Sequence, residues 1–206
     1  MVAIIDYDAG NIKSVENALF FLQKEAVITR DPALILNADH VILPGVGSFG
    51  EAMEKLSNFG LIPVIKEAVT KKVPFLGICL GLHLLFDSSE ESPGVSGLGI
   101  FRGEIKRIPS EDGLKIPHIG WNSLELSGQG RLFQGLGTKP YVYFVHSYYL
   151  KAEDEGIVTA VTDYGVSIHS SIEKENVFAC QFHPEKSSEV GLKILDNFLK
   201  IRREDR

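Results

Sequence analysis

The chain has 206 residues, a length that fits one compact domain. Hydrophobic residues make up 44% of it and charged residues 23%, a globular composition that excludes global disorder. The formal net charge of −6 excludes the basic face that nucleic acids and anionic membranes require, so we expect neither partner. The longest uncharged stretch, residues 73–86, is too short to span a bilayer. Two cysteines and no export signal predict a cytoplasmic protein with free thiols.

The first half of the chain alternates short apolar runs with amphipathic helix patterns. Apolar runs predict buried strands over 2–5, 41–43 and 74–78, and three- and four-residue spacing predicts helices over 12–22, 61–71 and 80–86. A further helix follows residue 48, where Ser48 and Glu51 have the spacing of a capping box. This alternation indicates βαβ units, and therefore an α/β fold with a mostly parallel central sheet flanked by helices.

The second half of the chain carries mainly short strand patterns separated by turns rich in Gly, Asp and Asn. These patterns predict an added antiparallel β portion, with strands over 124–126, 141–146, 157–162, 166–172 and 177–182. A last helix is predicted over 188–202, and residues 87–99 are predicted to form a loop beside a site. Because no linker separates the two halves, we expect a single domain over residues 1–206.

Cys79 lies between glycines at the junction of a predicted strand and a predicted helix. The string GICLG (77–81) matches the nucleophile elbow, with cysteine in the position of serine. A helix that begins directly after Cys79 directs its positive end at the sulfur and favours the thiolate. The alternative is a small buried cysteine without reactivity, which is the usual state of a free thiol.

His183 and Glu185 form a second candidate pair near the end of the chain. Residues two apart on an extended chain project to the same side, so Glu185 can orient the imidazole, and Pro184 is expected to keep the pair extended. A base oriented by a carboxylate supplies the second and third members of a catalytic triad. Taken alone, the string is equally consistent with a surface turn; together with Cys79, it favours a triad.

A thiolate nucleophile also needs hydrogen-bond donors for the oxyanion that it creates. The amide of Leu80 directly follows the nucleophile, and the string PGVG (44–47) places Gly47 at the end of a neighbouring strand. The alternative for the glycines is an ordinary strand-to-helix turn. His118 and His146 do not have metal-ligand spacing, and Cys180 is predicted to be a packing residue, so we expect no metal and no cofactor.

These motifs together resemble the class I, triad-type glutamine amidotransferases. The elbow and the His-Pro-Glu string identify the superfamily, and the remaining strings are most similar to the glutaminase subunits of imidazole glycerol phosphate synthases. The matching strings are IIDY (4–7) with GN (10–11), PGVGSF (44–49), GICLG (77–81), PHIGWN (117–122), YFVHSY (143–148) and QFHPEKS (181–187). Two positions differ from the pattern: His83 replaces a common glutamine and Asp8 a common glycine.

The resemblance implies a flavodoxin-like fold and hydrolysis of L-glutamine through a cysteinyl thioester. Cys79 would be the nucleophile, His183 the base and Glu185 its orienting group, and the amides of Gly47 and Leu80 would bind the oxyanion. It also implies that the substrate is held by Glu91 at its α-amino group, by backbone near Ser147 and Tyr148 at its carboxylate, and by a contact at His83. The alternatives are a solvated charge for Glu91 and a buried, hydrogen-bonded histidine for His83.

The resemblance further implies a partner, because a chain of this length has room for a glutaminase but not for the site that uses the ammonia. In the family this partner is a (β/α)₈ cyclase, and the joint products are imidazole glycerol phosphate and an aminoimidazole carboxamide ribotide. The partner surface would include Trp121, Asn122 and Lys186, although a lone tryptophan is more often a core residue. The alternative functions are a glutaminase subunit of another biosynthetic pathway, a non-catalytic scaffold, and a cysteine peptidase or esterase.

Overall fold

A computed structural model describes residues 1–8, 11–110, 113–128 and 130–203. Gly10 of the GN motif lies outside the described residues. The strands are β1 (Val2–Ile5), β2 (Ala26–Thr29), β3 (His40–Leu43), β4 (Phe75–Ile78), β5 (Ser88–Ser89), β6 (Gly103–Arg107), β7 (His118–Ser123), β8 (Glu125–Leu126), β9 (Tyr141–His146), β10 (Tyr148–Ala152), β11 (Val158–Asp163), β12 (Ser167–Lys174) and β13 (Val177–Cys180). The α-helices are α1 (Ile12–Phe21), α2 (Pro32–Asn37), α3 (Phe49–Asn58), α4 (Leu61–Thr70), α5 (Leu80–Leu84) and α6 (Ser188–Lys200), and 3₁₀ turns cover Arg131–Phe133, Glu155–Ile157 and Pro184–Lys186.

The large sheet combines a parallel half and an antiparallel half. Its strand order is β2-β1-β3-β4-β13-β12-β11-β8, and the strands from β2 to β13 are parallel. From β13 onward, β12, β11 and β8 are antiparallel. The order of the parallel strands is that of flavodoxin-like folds, in which ligands bind at the carboxyl ends of the strands. The predicted α/β fold with an antiparallel addition is confirmed.

Both faces of the parallel half are covered by helices, and the composition of the strands follows from this. In β1, Ala3 and Ile5 belong to one apolar cluster and Val2 and Ile4 to the other. The first cluster includes side chains of α2, α3 and α4, and the second includes side chains of α1 and α6. A strand that is buried on both sides is continuously apolar, which is why these short runs could be recognised in the sequence.

Two smaller sheets lie outside the large one. β7 pairs antiparallel with β9, and β10 pairs with β6, which pairs in turn with β5. The chain passes from one small sheet to the other at Ser147, the single residue between β9 and β10. No helix in the described ranges has both the length and the apolar character needed to cross a membrane.

The structure also contains elements that the sequence patterns did not predict. β2, α2, β6, β7 and β10 were not predicted, and the helix after Cys79 ends at Leu84, before the expected residue 86. β2 is a half-buried edge strand, and β6 and β7 each contain a single buried residue, so none of them forms a continuous apolar run.

The predicted capping box at α3 is wrong. The side chain of Ser48 makes no capping hydrogen bond. Instead, the amide of Phe49 donates to Glu91 Oε2 at 2.8 Å and the amide of Gly50 donates to Ser92 Oγ at 2.9 Å. The helix is therefore capped by the segment over 87–99, which is distant in sequence and satisfies the free amides of the first turn.

Candidate active site

Cys79 occupies a strained position at the carboxyl end of β4. Its backbone has φ 54° and ψ −108°, and α5 begins with the next residue. A non-glycine residue in this region costs of the order of 1–3 kcal/mol and occurs mainly at functional sites. The amide of Cys79 donates to the Cys180 carbonyl at 2.7 Å, which ties the elbow to the neighbouring strand β13. Both cysteines are free and buried.

The glycines on each side of Cys79 are required by close backbone contacts. A Cβ atom on Gly77 would lie 2.7 Å from the Gly81 carbonyl oxygen, and one on Gly81 would collide with the Leu43 carbonyl oxygen of β3. The first turn of α5 therefore packs directly against the ends of β3 and β4. This contact holds the strained turn at Cys79 in place.

His183 and Glu185 form the expected pair, but through a different backbone geometry. His183 Nδ1 lies 2.8 Å from Glu185 Oε1, and the two side chains are 2% and 1% exposed. The predicted extended conformation is wrong, because β13 ends at Cys180 and residues 184–186 form a 3₁₀ turn. The Ser187 hydroxyl donates to the His183 carbonyl at 2.6 Å and closes this turn.

His183 interacts with both proposed partners. Burial by itself lowers the pKa of His183, but Cys79 and Glu185 together outweigh it and raise the pKa to about 10. The Cys79 sulfur is therefore near enough to stabilise the imidazolium. The buried Nε2 atom nevertheless has no hydrogen-bond partner among the described residues. Nε2 is thus the free nitrogen beside the sulfur, while Nδ1 is occupied by Glu185.

A cavity of about 290 Å³ opens at Cys79. Its volume is near the lower limit, about 300 Å³, of pockets that bind small molecules. The lining brings together the other residues that were predicted to bind substrate or the oxyanion: Gly47, Leu80, His83, Glu91, Ser147 and Tyr148. A larger cavity of about 600 Å³, lined by His40 and the end of α6, contains none of these residues and lies away from the triad.

The polar groups of this cavity differ in how far they are already paired. The Leu80 amide is the first of α5 and has no acceptor within the helix. Gly47 has φ +102°, a conformation that L side chains rarely adopt. Glu91 uses one carboxylate oxygen to cap Phe49, which leaves the other for a ligand. His83 is buried, and its Nε2 lies 2.8 Å from Gln181 Oε1.

Tyr7 is a site residue for which the sequence analysis assigned no role. Its side chain is fully buried, and its hydroxyl donates to the Pro44 carbonyl at 2.8 Å. A Cβ atom on Gly45 would lie 2.6 Å from this hydroxyl, so Tyr7 packs directly behind residues 44–47. Burial, and to a lesser extent Cys79, raises the pKa of Tyr7, which keeps it protonated as a donor. The signal available in the sequence was the hydroxyl of Tyr7, which follows the end of the predicted buried strand over 2–5.

The residues predicted to bind a partner lie outside the cavity. Trp121 is 51% exposed and is neighboured by Ile119 at 60% and Tyr141 at 57%. The pairing of β7 with β9 places these three side chains on one face, which we call the outer patch. Asn122 projects to the opposite face of β7, where its side chain donates to the Asp163 carbonyl at 3.1 Å. Lys186 is exposed at the end of the triad turn.

No group of three or more His, Cys, Asp or Glu side chains in the described part of the chain is arranged to hold a metal ion. His118 and His146 instead contact each other, with His118 Nδ1 3.0 Å from His146 Nε2.

Comparison with known proteins agrees with this geometry. The model of the family "Glutamine amidotransferase class-I" matches residues 3–201. This chain belongs to the class I glutamine amidotransferase family. The resemblance inferred from the motifs is thus confirmed.

Two relatives that match nearly the whole chain bear the name of one kind of amidotransferase subunit. The chain is 50% identical over 202 residues to the imidazole glycerol phosphate synthase subunit HisH of Thermosynechococcus vestitus, covering 97% of this chain and 96% of that protein. It is 44% identical over 205 residues to subunit HisH 1 of Methanococcus maripaludis, covering 98% of this chain and all of that protein.

Solved structures support the fold of the amidotransferase. One glutamine amidotransferase has a TM-score of 0.75 at 20% identity, covering 97% of this chain and 98% of that one. PurLQS from Thermotoga maritima has a TM-score of 0.71 at 20% identity, with 96% of each chain covered.

The hydroxyl of Tyr7 provides a test of the packing behind residues 44–47. Tyr7→Phe removes the donor to the buried Pro44 carbonyl, so we expect the free energy of unfolding to fall by about 1–3 kcal/mol in urea titrations. The matched control is Tyr164→Phe, whose hydroxyl donates to the Lys115 carbonyl at an exposed site. An equally small loss for both variants would contradict the role of Tyr7.

Three buried histidines predict sensitivity to acid. Burial lowers the pKa of His83 and His118 to about 4 and that of His146 to about 3, against an ordinary value of 6.5. Their contribution to stability is fully present above pH 6.5 and is lost as the pH falls toward these values, because the unfolded state binds protons first. We expect the urea midpoint to decrease between pH 7 and pH 4.5. His83→Gln should make the decrease shallower, and an unchanged slope in this variant would contradict the assignment.

Proposed function

We propose that this chain is the glutaminase subunit of an imidazole glycerol phosphate synthase. It acts in the cytoplasm as a single amidotransferase domain over residues 1–206 and hydrolyses L-glutamine to glutamate and ammonia. The observation that carries the proposal is the cavity at Cys79, because one lining contains the nucleophile and every residue expected to contact the substrate. Relatives of 44–50% identity that bear this subunit's name support the same function.

The geometry of the triad accounts for formation of the thioester. His183 Nε2 accepts the thiol proton, while Glu185 holds Nδ1 in place. The Cys79 sulfur then attacks the carboxamide carbon of glutamine. The oxyanion faces the Leu80 amide and an amide near Gly47, at the positive end of α5. His183 returns its proton to the departing nitrogen, so ammonia leaves and a γ-glutamyl thioester remains.

Water completes the reaction. With His183 again acting as base, a water molecule attacks the thioester carbon, and collapse of the second tetrahedral intermediate releases glutamate and the sulfur. The burial of His183 and Glu185 keeps the pair out of bulk solvent, so the charge that develops on the imidazole is stabilised by a single fixed carboxylate.

The ends of the substrate are assigned to groups around the rim of the cavity. The free oxygen of Glu91 binds the α-ammonium group, and the backbone at Ser147 and Tyr148 binds the α-carboxylate. His83 lies beside the reacting carboxamide, with one ring nitrogen already paired to Gln181. A neutral His83 adds no charge near the thiolate, which is consistent with the lowering of its pKa by burial.

The ammonia requires a sheltered route, because free ammonia is protonated at neutral pH and diffuses away. We assign its acceptor to a (β/α)₈ cyclase subunit that forms imidazole glycerol phosphate and an aminoimidazole carboxamide ribotide. The outer patch supports a docking site for it, since Ile119, Trp121 and Tyr141 expose large apolar side chains on one face. Lys186 lies at the end of the triad turn and is assigned to the rim of this interface.

Substitution of the nucleophile tests the proposal. In the complex with the cyclase, Cys79→Ala should reduce glutamine-dependent synthesis at least about 1,000-fold and leave synthesis from added ammonium salts unchanged. The physical reason is that ammonium salts supply ammonia directly, so synthesis from them does not need the thioester chemistry at Cys79. Loss of both activities would show that Cys79 is structural, and retention of glutamine-dependent synthesis would refute the proposal.

A glutamine-like affinity label tests whether Cys79 is the nucleophile, with Cys180 as the control. The label should add to Cys79 and leave Cys180 unmodified, because burial raises the pKa of the Cys180 thiol well above its ordinary value. Mass spectrometry of tryptic peptides distinguishes the two cysteines. If neither thiol reacts when the cyclase is present, the chain is a scaffold.

The outer patch is tested by the affinity of the two subunits. Trp121→Ala removes a large apolar side chain from the centre of the patch, and we expect the dissociation constant to rise about 30-fold or more, as for a binding hot spot. Phe20→Ala is the control, because Phe20 is 82% exposed on α1, outside the patch. Titration calorimetry measures both variants, and an equal effect would place the interface elsewhere.

A further inference from the structure

A row of hydrogen-bonded side chains crosses the inner face of β7 and β9. Asn122 Nδ2 lies 3.4 Å from His118 Nε2, and His118 Nδ1 lies 3.0 Å from His146 Nε2. His146 Nδ1 in turn lies 2.9 Å from the Tyr148 carbonyl oxygen. The row therefore begins on the strand that carries the outer patch and ends at the backbone of the glutamine cavity.

The chemistry of the end groups fixes the direction of every bond in the row. A carbonyl oxygen only accepts, so His146 Nδ1 carries a proton. A neutral imidazole has one N–H, so His146 Nε2 accepts and His118 Nδ1 donates to it. His118 Nε2 is then the acceptor for the Nδ2 group of Asn122, which only donates. Burial lowers the pKa of both histidines to about 3–4, which keeps them neutral.

The orientation of Asn122 is fixed by two further contacts. Its Oδ1 accepts from the Ser123 amide at 2.8 Å, and its Nδ2 donates to the Asp163 carbonyl at 3.1 Å. An exchange of the two side-chain atoms would break both bonds. The amide nitrogen therefore faces His118, as the direction of the row requires.

Packing prevents the central ring from turning over. The ring of His118 is stacked against Tyr164, with centroids 3.8 Å apart at 19°, and against Phe144, at 4.7 Å and 21°. Rotation of this ring by half a turn would place carbon atoms where Nδ1 and Nε2 lie, and would break both of its hydrogen bonds. Because His118 is only 3% exposed, water does not replace either partner.

The far end of the row closes the corner between two sheets. His146 is the last residue of β9 and Tyr148 is the first of β10, and the bond between them spans Ser147. The Ser147 carbonyl is held separately by the Ile108 amide at 2.9 Å. His146, Ser147 and Tyr148 all line the cavity at Cys79, so the row ends in one of its walls.

We propose that Asn122, His118 and His146 form a proton-ordered chain that positions the Ser147–Tyr148 corner for glutamine and links this corner to the docking strand β7. These are positioning residues, because they act on the substrate through the backbone. The proposal deepens the proposed function and rests on it for the identity of the ligand. The longest link, at Asn122, lies on the strand whose other face carries Trp121, so a shift of β7 on docking changes this link first.

The tautomers are tested without any assay of activity. In ¹⁵N-histidine NMR spectra of the chain alone, His118 and His146 should both carry their proton on Nδ1. Asn122→Asp replaces the donor by a carboxylate, so His118 Nε2 should gain a proton. A wild-type Nε2–H tautomer at His146 would overturn the proposal, whatever the outcome of the Cys79→Ala experiment.

Two substitutions at His118 separate hydrogen bonding from packing. His118→Phe keeps a stacked ring but removes the donor, whereas His118→Asn loses the ring but places an amide donor where Nδ1 lies. In the complex with the cyclase, we expect the KM for glutamine to rise about fivefold in His118→Phe and less than twofold in His118→Asn, with kcat little changed. Thermal melting shows whether each variant is folded.

The reverse order of the two KM values would overturn the proposal, because a packing role requires the ring and not the donor. Equal effects of both substitutions on KM would also overturn it. If the variants behave as expected while Cys79→Ala retains glutamine-dependent synthesis, the corner binds glutamine but the assignment of the nucleophile is wrong. The two proposals therefore fail separately.

Discussion

The strained turn at Cys79 depends on the close packing that Gly77 and Gly81 allow between α5 and the ends of β3 and β4. The positive φ of Cys79 is unfavourable, and it persists because Gly81 lets the first turn of α5 pack against the Leu43 carbonyl. This contact places the sulfur above the sheet edge and directs the free amides of α5 toward it. Without the contact, the chain would relax into a less strained turn, and the amides of α5 would no longer face the sulfur and the proposed oxyanion site.

The other two residues of the proposed triad reach Cys79 through strand pairing. β13 is hydrogen-bonded parallel to β4 with Cys180 opposite Ile78, so the chain leaves the sheet beside the elbow. Residues more than 100 positions apart then meet because neighbouring parallel strands end at the same edge. The 3₁₀ turn at Pro184 brings Glu185 back under His183, which an extended strand would have carried away from the sheet.

The parts of the site that were predictable from sequence are those with a local pattern. The continuous apolar strands, the glycines around Cys79 and the spacing of His183 and Glu185 are all short-range features. The caps of α3 by Glu91 and Ser92, the hydroxyl of Tyr7 behind Pro44 and the contact of His118 with His146 join segments that are distant in sequence. None of these pairs leaves a periodicity or a spacing, so only the fold reveals them.

The strand β9 connects the outer patch to the site on both of its faces. On the outer face, the ring of Tyr143 packs edge-on against Trp121, while its carbonyl accepts from the His183 amide and its amide donates to Ser187. On the inner face, His146 holds the corner of the cavity. Because side chains alternate along a strand, β9 contacts the outer patch with one face and the wall of the proposed glutamine cavity with the other. A displacement of β9 would therefore change the turn at residues 183–187 and the wall of the cavity together.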